Sequence, residues 1–209
     1  MKGENMKNND SALTTRMVVS VGMLSAIATI LMLFDIPIPF APSFYKIDFS
    51  ELPALIGAFA YGPLAGVLIE LVKVLLKVVI KGTSTKFVGE IANFAVGCSL
   101  IVPAGVIYGL KKTKKQAVIG CVAGTLVMAV FGAFFNAVYL LPKFAEMYGM
   151  DLSAIIAMGA AVNPLIGDSV LSFVAACVAP LNFVKGGLVS LVTMFIYKPL
   201  SPILKRQNG

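Results

Sequence analysis

Histidine and tryptophan are absent from the 209 residues, and only 13% of positions are charged against 58% that are hydrophobic. The first absence removes imidazole acid–base chemistry, the Ser-His-Asp triad and every histidine-ligated metal site. No Gly-x-x-x-x-Gly-Lys-Ser/Thr stretch occurs; the nearest, Lys81-Gly82-Thr83-Ser84, lacks the loop that cradles phosphates, so the chain has no such device for ATP hydrolysis. Cys98, Cys121 and Cys177 are odd in number, widely spaced and each inside an apolar run. They read as small packing residues and not as a disulfide or a metal cluster. Scarcity of charge excludes most: soluble domains are roughly a quarter charged, and 17 basic with 10 acidic residues cannot wrap an apolar core of this size. A mean hydropathy of +0.92 places the chain in a bilayer.

What remains is helix. A span takes roughly 20 residues, so the length allows about five to seven spans and no soluble domain. The sequence predicts an all-α integral membrane protein with six transmembrane helices at 17–34, 51–61, 63–81, 87–110, 117–141 and 180–197. The polar stretch 1–15 precedes a full apolar span without an Ala-x-Ala cleavage pattern, which predicts a retained first helix and not a signal peptide. Pro37, Pro39 and Pro42 make 35–50 a stiff, extended loop. Ser50 is the expected cap of the second helix, with Asp48 and Glu51 beside its start. Pro142 is expected to stop the fifth helix, and 142–179 to form an outer loop or re-entrant segment.

Basic residues fix the expected topology, because short cytoplasmic loops carry the Lys/Arg excess. With six spans, both termini share a side with the 111–115 loop. That side collects Lys2, Lys7, Arg16, Lys111, Lys112, Lys114, Lys115, Lys198, Lys205 and Arg206 against only Glu4 and Asp10. The N-terminal tail 1–16 and the C-terminal tail 198–209 are therefore expected in the cytoplasm.

Polar groups inside apolar helices are costly and so are default site candidates. Glu70 and Lys73, three apart, can pair on one helix face, a structural role. Glu90 and Asn93 share a face of the fourth helix, Asn136 sits late in the fifth, and Asn182 with Lys185 begins the sixth. By this topology Asn93, Asn136, Asn182 and Lys185 share the outer half of the membrane, as a water-filled pocket open outward requires. Taken singly, each amide could equally join two helices. On the first helix, Gly22 with Ala26 and Ser25 with Thr29 place small residues four apart, a spacing for close helix approach.

Four stretches together resemble one family: Ile47-Asp48-Phe49-Ser50-Glu51-Leu52-Pro53-Ala54-Leu55, Tyr61-Gly62-Pro63-Leu64-Ala65-Gly66, Ala92-Asn93-Phe94 and Pro180-Leu181-Asn182-Phe183-Val184-Lys185-Gly186. The chain is similar to the riboflavin branch of the substrate-binding S components of energy-coupling factor (ECF) vitamin transporters. That resemblance implies riboflavin binding at the outer face of a prokaryotic plasma membrane. It also implies association with a transmembrane coupling protein and two ABC-type ATPases. It implies no catalysis and no resident cofactor, with the vitamin as substrate, lipid as surroundings and no nucleic-acid partner. The loop covering the vitamin would contribute Phe44, Tyr45, Lys46, Ile47 and Asp48; Asn93, Asn136, Asn182 and Lys185 would contact the flavin. Gly22 and Ala26 would dock on the coupling protein. Riboflavin is neutral, and a few amides suit its uracil-like edge because Asn donates and accepts at once. FMN would keep its phosphate at the mouth near Lys46, Lys81 or Lys86. The competing expectations are an S component for pantothenate or thiamine and, in another class, a small integral membrane enzyme.

Overall fold

Apolar runs bounded by Gly, Pro and polar clusters fold as helices, here described over residues 15–205 in a computed structural model. Glu4, Asp10, Lys2, Lys7 and Arg206 of the topology argument lie outside the described residues. Helix α1 (Thr15–Leu33) leads into a short antiparallel ribbon of β1 (Ile36–Pro37) and β2 (Lys46–Ile47), with Ile36 opposite Ile47. The extended loop is therefore a tied hairpin. Then come α2 (Glu51–Tyr61) and α3 (Pro63–Lys81), separated by Gly62 at φ 100°, a conformation that favours glycine, with Pro63 pre-set to open the next helix. Helix α4 (Val88–Leu110) follows, and α5 (Lys114–Phe135) starts inside the basic run, where the Thr113 hydroxyl accepts from the Gln116 N–H at 3.2 Å.

Three expectations on element ends need correction. Pro142 does not stop the fifth helix: a π-helical turn, Asn136–Leu140, links α5 to α6 (Leu141–Tyr148) as one continuous rod. The segment 142–179 is no plain outer loop, since it also holds α7 (Leu152–Ala160), α8 (Val170–Phe173) and a second π turn, Val174–Val178, which runs into α9 (Ala179–Lys205). The last rod thus begins ten residues before Pro180 and continues beyond Tyr197 to Lys205. The physical reason is shared. A proline crowds the carbonyl four residues back and cannot donate to it. A π turn just ahead of Pro142 and Pro180 widens the helix there, so the chain passes without breaking. At the second site the Asn163 amide donates to the Ala176 carbonyl, the one Pro180 cannot serve, at 3.2 Å.

Three helical rods are long and apolar enough to cross a membrane among the described residues: Val88–Leu110, Lys114–Tyr148 and Val170–Tyr197. Burial is inverted relative to a soluble protein. Val19, Met23, Ile27, Val130, Phe134 and Phe195 point outward, whereas Ser25, Thr29, Glu70, Lys73, Thr125 and Thr193 are inside. Ser25 and Thr29 turn their hydroxyls back onto the Val21 and Ser25 carbonyls at 2.7 and 2.8 Å, while Gly22 and Ala26 occupy the exposed face of α1. The two small-residue pairs therefore serve opposite faces. Between α4 and α5, Gly120 and Gly124 lie directly against the Ala104 and Leu100 carbonyls, where a Cβ would collide with backbone.

Gly124→Val is expected to cost about 1–3 kcal/mol by forcing these helices apart, read as a lower melting temperature of the purified protein in detergent. Gly109→Ala, on the open side of α4 with no neighbour near the new methyl, is expected to leave the melt unchanged or raise it.

Candidate functional site

A cavity of about 410 Å³ opens beneath the ribbon loop, where α3, α4, α6 and α9 converge. Its size falls within the range of roughly 300–1,000 Å³ usual for small-molecule sites. Phe44, Tyr45, Lys46 and Asp48 of the loop line it with Asn93, Asn136, Asn182 and Lys185 of the helices, so eight of the nine sequence-derived residues meet there. Ile47 does not: it turns away and packs on the apolar cluster around Leu141 and Phe173.

The two π turns set the amides. Asn136 opens the first, and its side chain donates to the Gly132 carbonyl at 2.7 Å; Asn182 follows the second and donates to the Val178 carbonyl at 3.0 Å. Gly132 has no Cβ, and the Asn182 amide fills that space. Both asparagines thus sit around one glycine of α5, each with one N–H donated to a carbonyl and its second N–H turned to no protein acceptor. Asn93 lines the wall with a buried Oδ1 that meets no donor. The loop is latched from above, since the Tyr45 hydroxyl donates to Asn136 Oδ1 at 2.6 Å. Around that latch Phe44 meets the Phe144 ring edge-on at 5.0 Å, and Tyr45 lies 6.1 Å from Phe173. Burial pushes the Tyr45 hydroxyl well above its ordinary range, so it remains a donor.

Charge in the cavity wall is matched pair by pair. Lys46 holds Asp35 at 2.8 Å, and Lys77 holds Glu90 at 2.5 Å while Thr83 and Thr85 donate to the other oxygen of Glu90. Lys185 reaches Glu51 at 2.8 Å and Asp48 at 3.3 Å. Three lysines and three carboxylates line the cavity, and no lysine is left over. Burial alone would raise the Asp48 carboxyl; Lys185, Lys73 and the Ser50 N–H, at 2.8 Å, more than offset it and hold the group below its usual value.

Behind Lys185 this charge continues inward. Lys73 bonds Glu70 at 2.7 Å, Ser50 Oγ at 2.7 Å and Glu51 at 3.5 Å, with Glu70 and Lys73 fully buried. The expected Glu70–Lys73 pair is present, but it is one part of a five-charge cluster that includes Lys185. Ser50 stands at the expected N-cap position of α2, but its hydroxyl makes no cap bond and instead accepts from Lys73. The sequence reading also left out Phe144 and Tyr148, which line the cavity from α6. Their spacing of four residues was the available signal, since it puts both on one helix face.

Comparison with known proteins follows the same outline. The family described as ECF transporter, substrate-specific component, matches residues 16–197. The riboflavin transporter FmnP of Bacillus subtilis (strain 168) is 32% identical over 194 residues, covering 92% of this chain and 95% of that protein. The riboflavin transporter RibU of Staphylococcus aureus (strain TCH60) is 32% identical over 189 residues, covering 90% and 92%. A solved S component of a bacterial ECF transporter superposes with a TM-score of 0.70 at 32% identity, over 91% of this chain and 98% of that one.

Lys73→Met is expected to destabilise the protein by about 3–5 kcal/mol, because it strands buried carboxylates without their countercharge; thermal melting checks it. Tyr45→Phe, which removes one hydrogen bond, is expected to cost only about 0.5–1.5 kcal/mol in the same measurement.

Proposed function

The chain belongs to the family of ECF transporter substrate-specific components, and we propose that it is the subunit that binds riboflavin for uptake across a prokaryotic plasma membrane. It is not an enzyme; the homologues are transporters. The observation that carries the ligand assignment is the pairwise charge balance of the cavity. With Lys46, Lys77 and Lys185 each already on a carboxylate, a neutral molecule enters without stranding a charge. Pantothenate would need a free cation and thiamine a free anion. The uracil-like edge of riboflavin carries both N–H and C=O groups, which match the remaining amide atoms of Asn136 and Asn182 and the open acceptor of Asn93. The apolar tricycle suits the Phe44, Leu140, Phe144 and Leu181 walls. Charge balance also ranks FMN below riboflavin, since its phosphate would compete with Asp35 for Lys46 and Lys81.

In this reading six helices span the bilayer with both termini cytoplasmic and the cavity facing out, where loop 35–50 closes over the vitamin. ATP is consumed by two ABC-type ATPases joined through a transmembrane coupling protein. Gly22 and Ala26, on the exposed face of α1, give that protein a smooth seam, and the whole S component turns in the membrane to release its cargo inward.

Asn136→Ala and Asn182→Ala are each expected to weaken riboflavin binding about tenfold or more, since a buried partner lost costs about 1–3 kcal/mol; quenching of flavin fluorescence on titration with purified protein measures it. Unchanged affinity would refute the site. Gly22→Leu is expected to leave that affinity intact and abolish uptake into cells, whereas loss of both would make the seam internal packing.

A further inference from the structure

The buried cluster does not balance. Asp48, Glu51 and Glu70 bring three carboxylates, and Lys73 and Lys185 bring two ammoniums, with all five side chains buried. Fully ionised, the group carries one net negative charge, with Asp48 and Lys185 at the cavity wall and Glu51, Glu70 and Lys73 sealed behind them, an arrangement a protein avoids by neutralising one member. Geometry names the member. Asp48 accepts from the Ser50 N–H and from Lys185, and Glu51 Oε1 accepts from both ammoniums. Glu51 Oε2 and Glu70 Oε1 both meet no donor, but Glu51 answers two ammoniums through Oε1, whereas Glu70 answers one, the Lys73 ammonium paired with Oε2.

From this count we infer that Glu70 holds a proton while Asp48 is seated in the cluster, so that three carboxylates and two ammoniums bury as a neutral group. No other charge within reach performs this task. From α2 Glu70 faces Glu51, from its own helix Lys73, from α9 Lys185, and from α4 the thiol of Cys98 and the backbone of Gly97. The described α1 beyond Arg16, which packs on α3, has no titratable side chain. One turn further along α3, Lys77 is spent on Glu90. A sodium ion would be a substitute cation, but Gly97 presses directly on the Glu70 carboxyl, leaving no room for the ring of oxygens that ion needs. Asp48 is the last acid of the ribbon loop. On the reading that this loop lifts to admit the ligand, its departure leaves two carboxylates on two ammoniums, and Glu70 then gives its proton to water entering where Asp48 stood.

Infrared difference spectroscopy of the purified protein tests this without ligand, so its failure leaves the riboflavin assignment untouched. Wild type at neutral pH should show the C=O stretch of a protonated carboxyl group that shifts in heavy water. Glu70→Gln should abolish the band, and Asp48→Asn, which removes the surplus charge in place, should abolish it as well. Absence of the band in wild type overturns the inference with no variant needed. Persistence in Glu70→Gln assigns the proton elsewhere, and persistence in Asp48→Asn shows that surplus charge is not its cause; either result overturns the inference. A band that disappears on adding sodium chloride in place of a potassium salt would identify a metal-ion site instead, and does the same.

Discussion

A buried ammonium must be answered where it stands, and in this protein two of them organise the region around the cavity. Lys73 on α3 and Lys185 on α9 are held by carboxylates from the ribbon loop, from α2 and from α3. Removing either ammonium leaves carboxylates without a countercharge in the interior, at a cost larger than the pair would gain in water. The loop is thereby fastened to the helices at Asp48, a few residues from the second fastening at Tyr45 and Asn136. Two polar fastenings and an apolar pad of Ile38, Ala41, Phe44 and Tyr45 give the loop a defined closed position over the cavity.

The amide pair depends on a different constraint, the accommodation of proline in a continuous helix. Pro142 and Pro180 each follow a π turn, and Asn136 and Asn182 flank those turns. Each amide is anchored by one bond to a carbonyl four residues back, and Asn136 by a second from Tyr45, so both line the cavity in a fixed pose. Gly132 completes the arrangement by yielding the volume of a methyl group to Asn182. Fixed donors and acceptors lose little freedom when a ligand binds, which favours selectivity for one hydrogen-bonding edge.

How much of this was legible in the chain varied with the range of the cause. Long apolar runs and the Gly62-Pro63 and basic punctuation gave α1 to α4 and the start of α5 within a few residues. Polar residues in apolar helices gave the cavity wall, because their cost is local to the helix that carries them. Partners distant in sequence were another matter. Lys185 finds Asp48 and Glu51 across 137 and 134 residues, and no local pattern reports that, so Ser50 and Glu51 read as an ordinary helix start. Residues 142–179 were misjudged because proline reads as a stop, while a π turn that absorbs it has no sequence signature of its own. Gly120 and Gly124 answer the α4 backbone, a partner that no pattern within their own helix reports.

The proposed place of the neutral flavin is between the Asn136–Asn182 amides and the Tyr45 lid. A crystal structure of the purified protein with riboflavin added addresses it most directly. The account requires the uracil-like edge of the ring on those two amides, with Lys46, Lys77 and Lys185 keeping their carboxylate partners. A flavin bound elsewhere, or a bound vitamin that leaves Lys185 without a carboxylate partner, would contradict it.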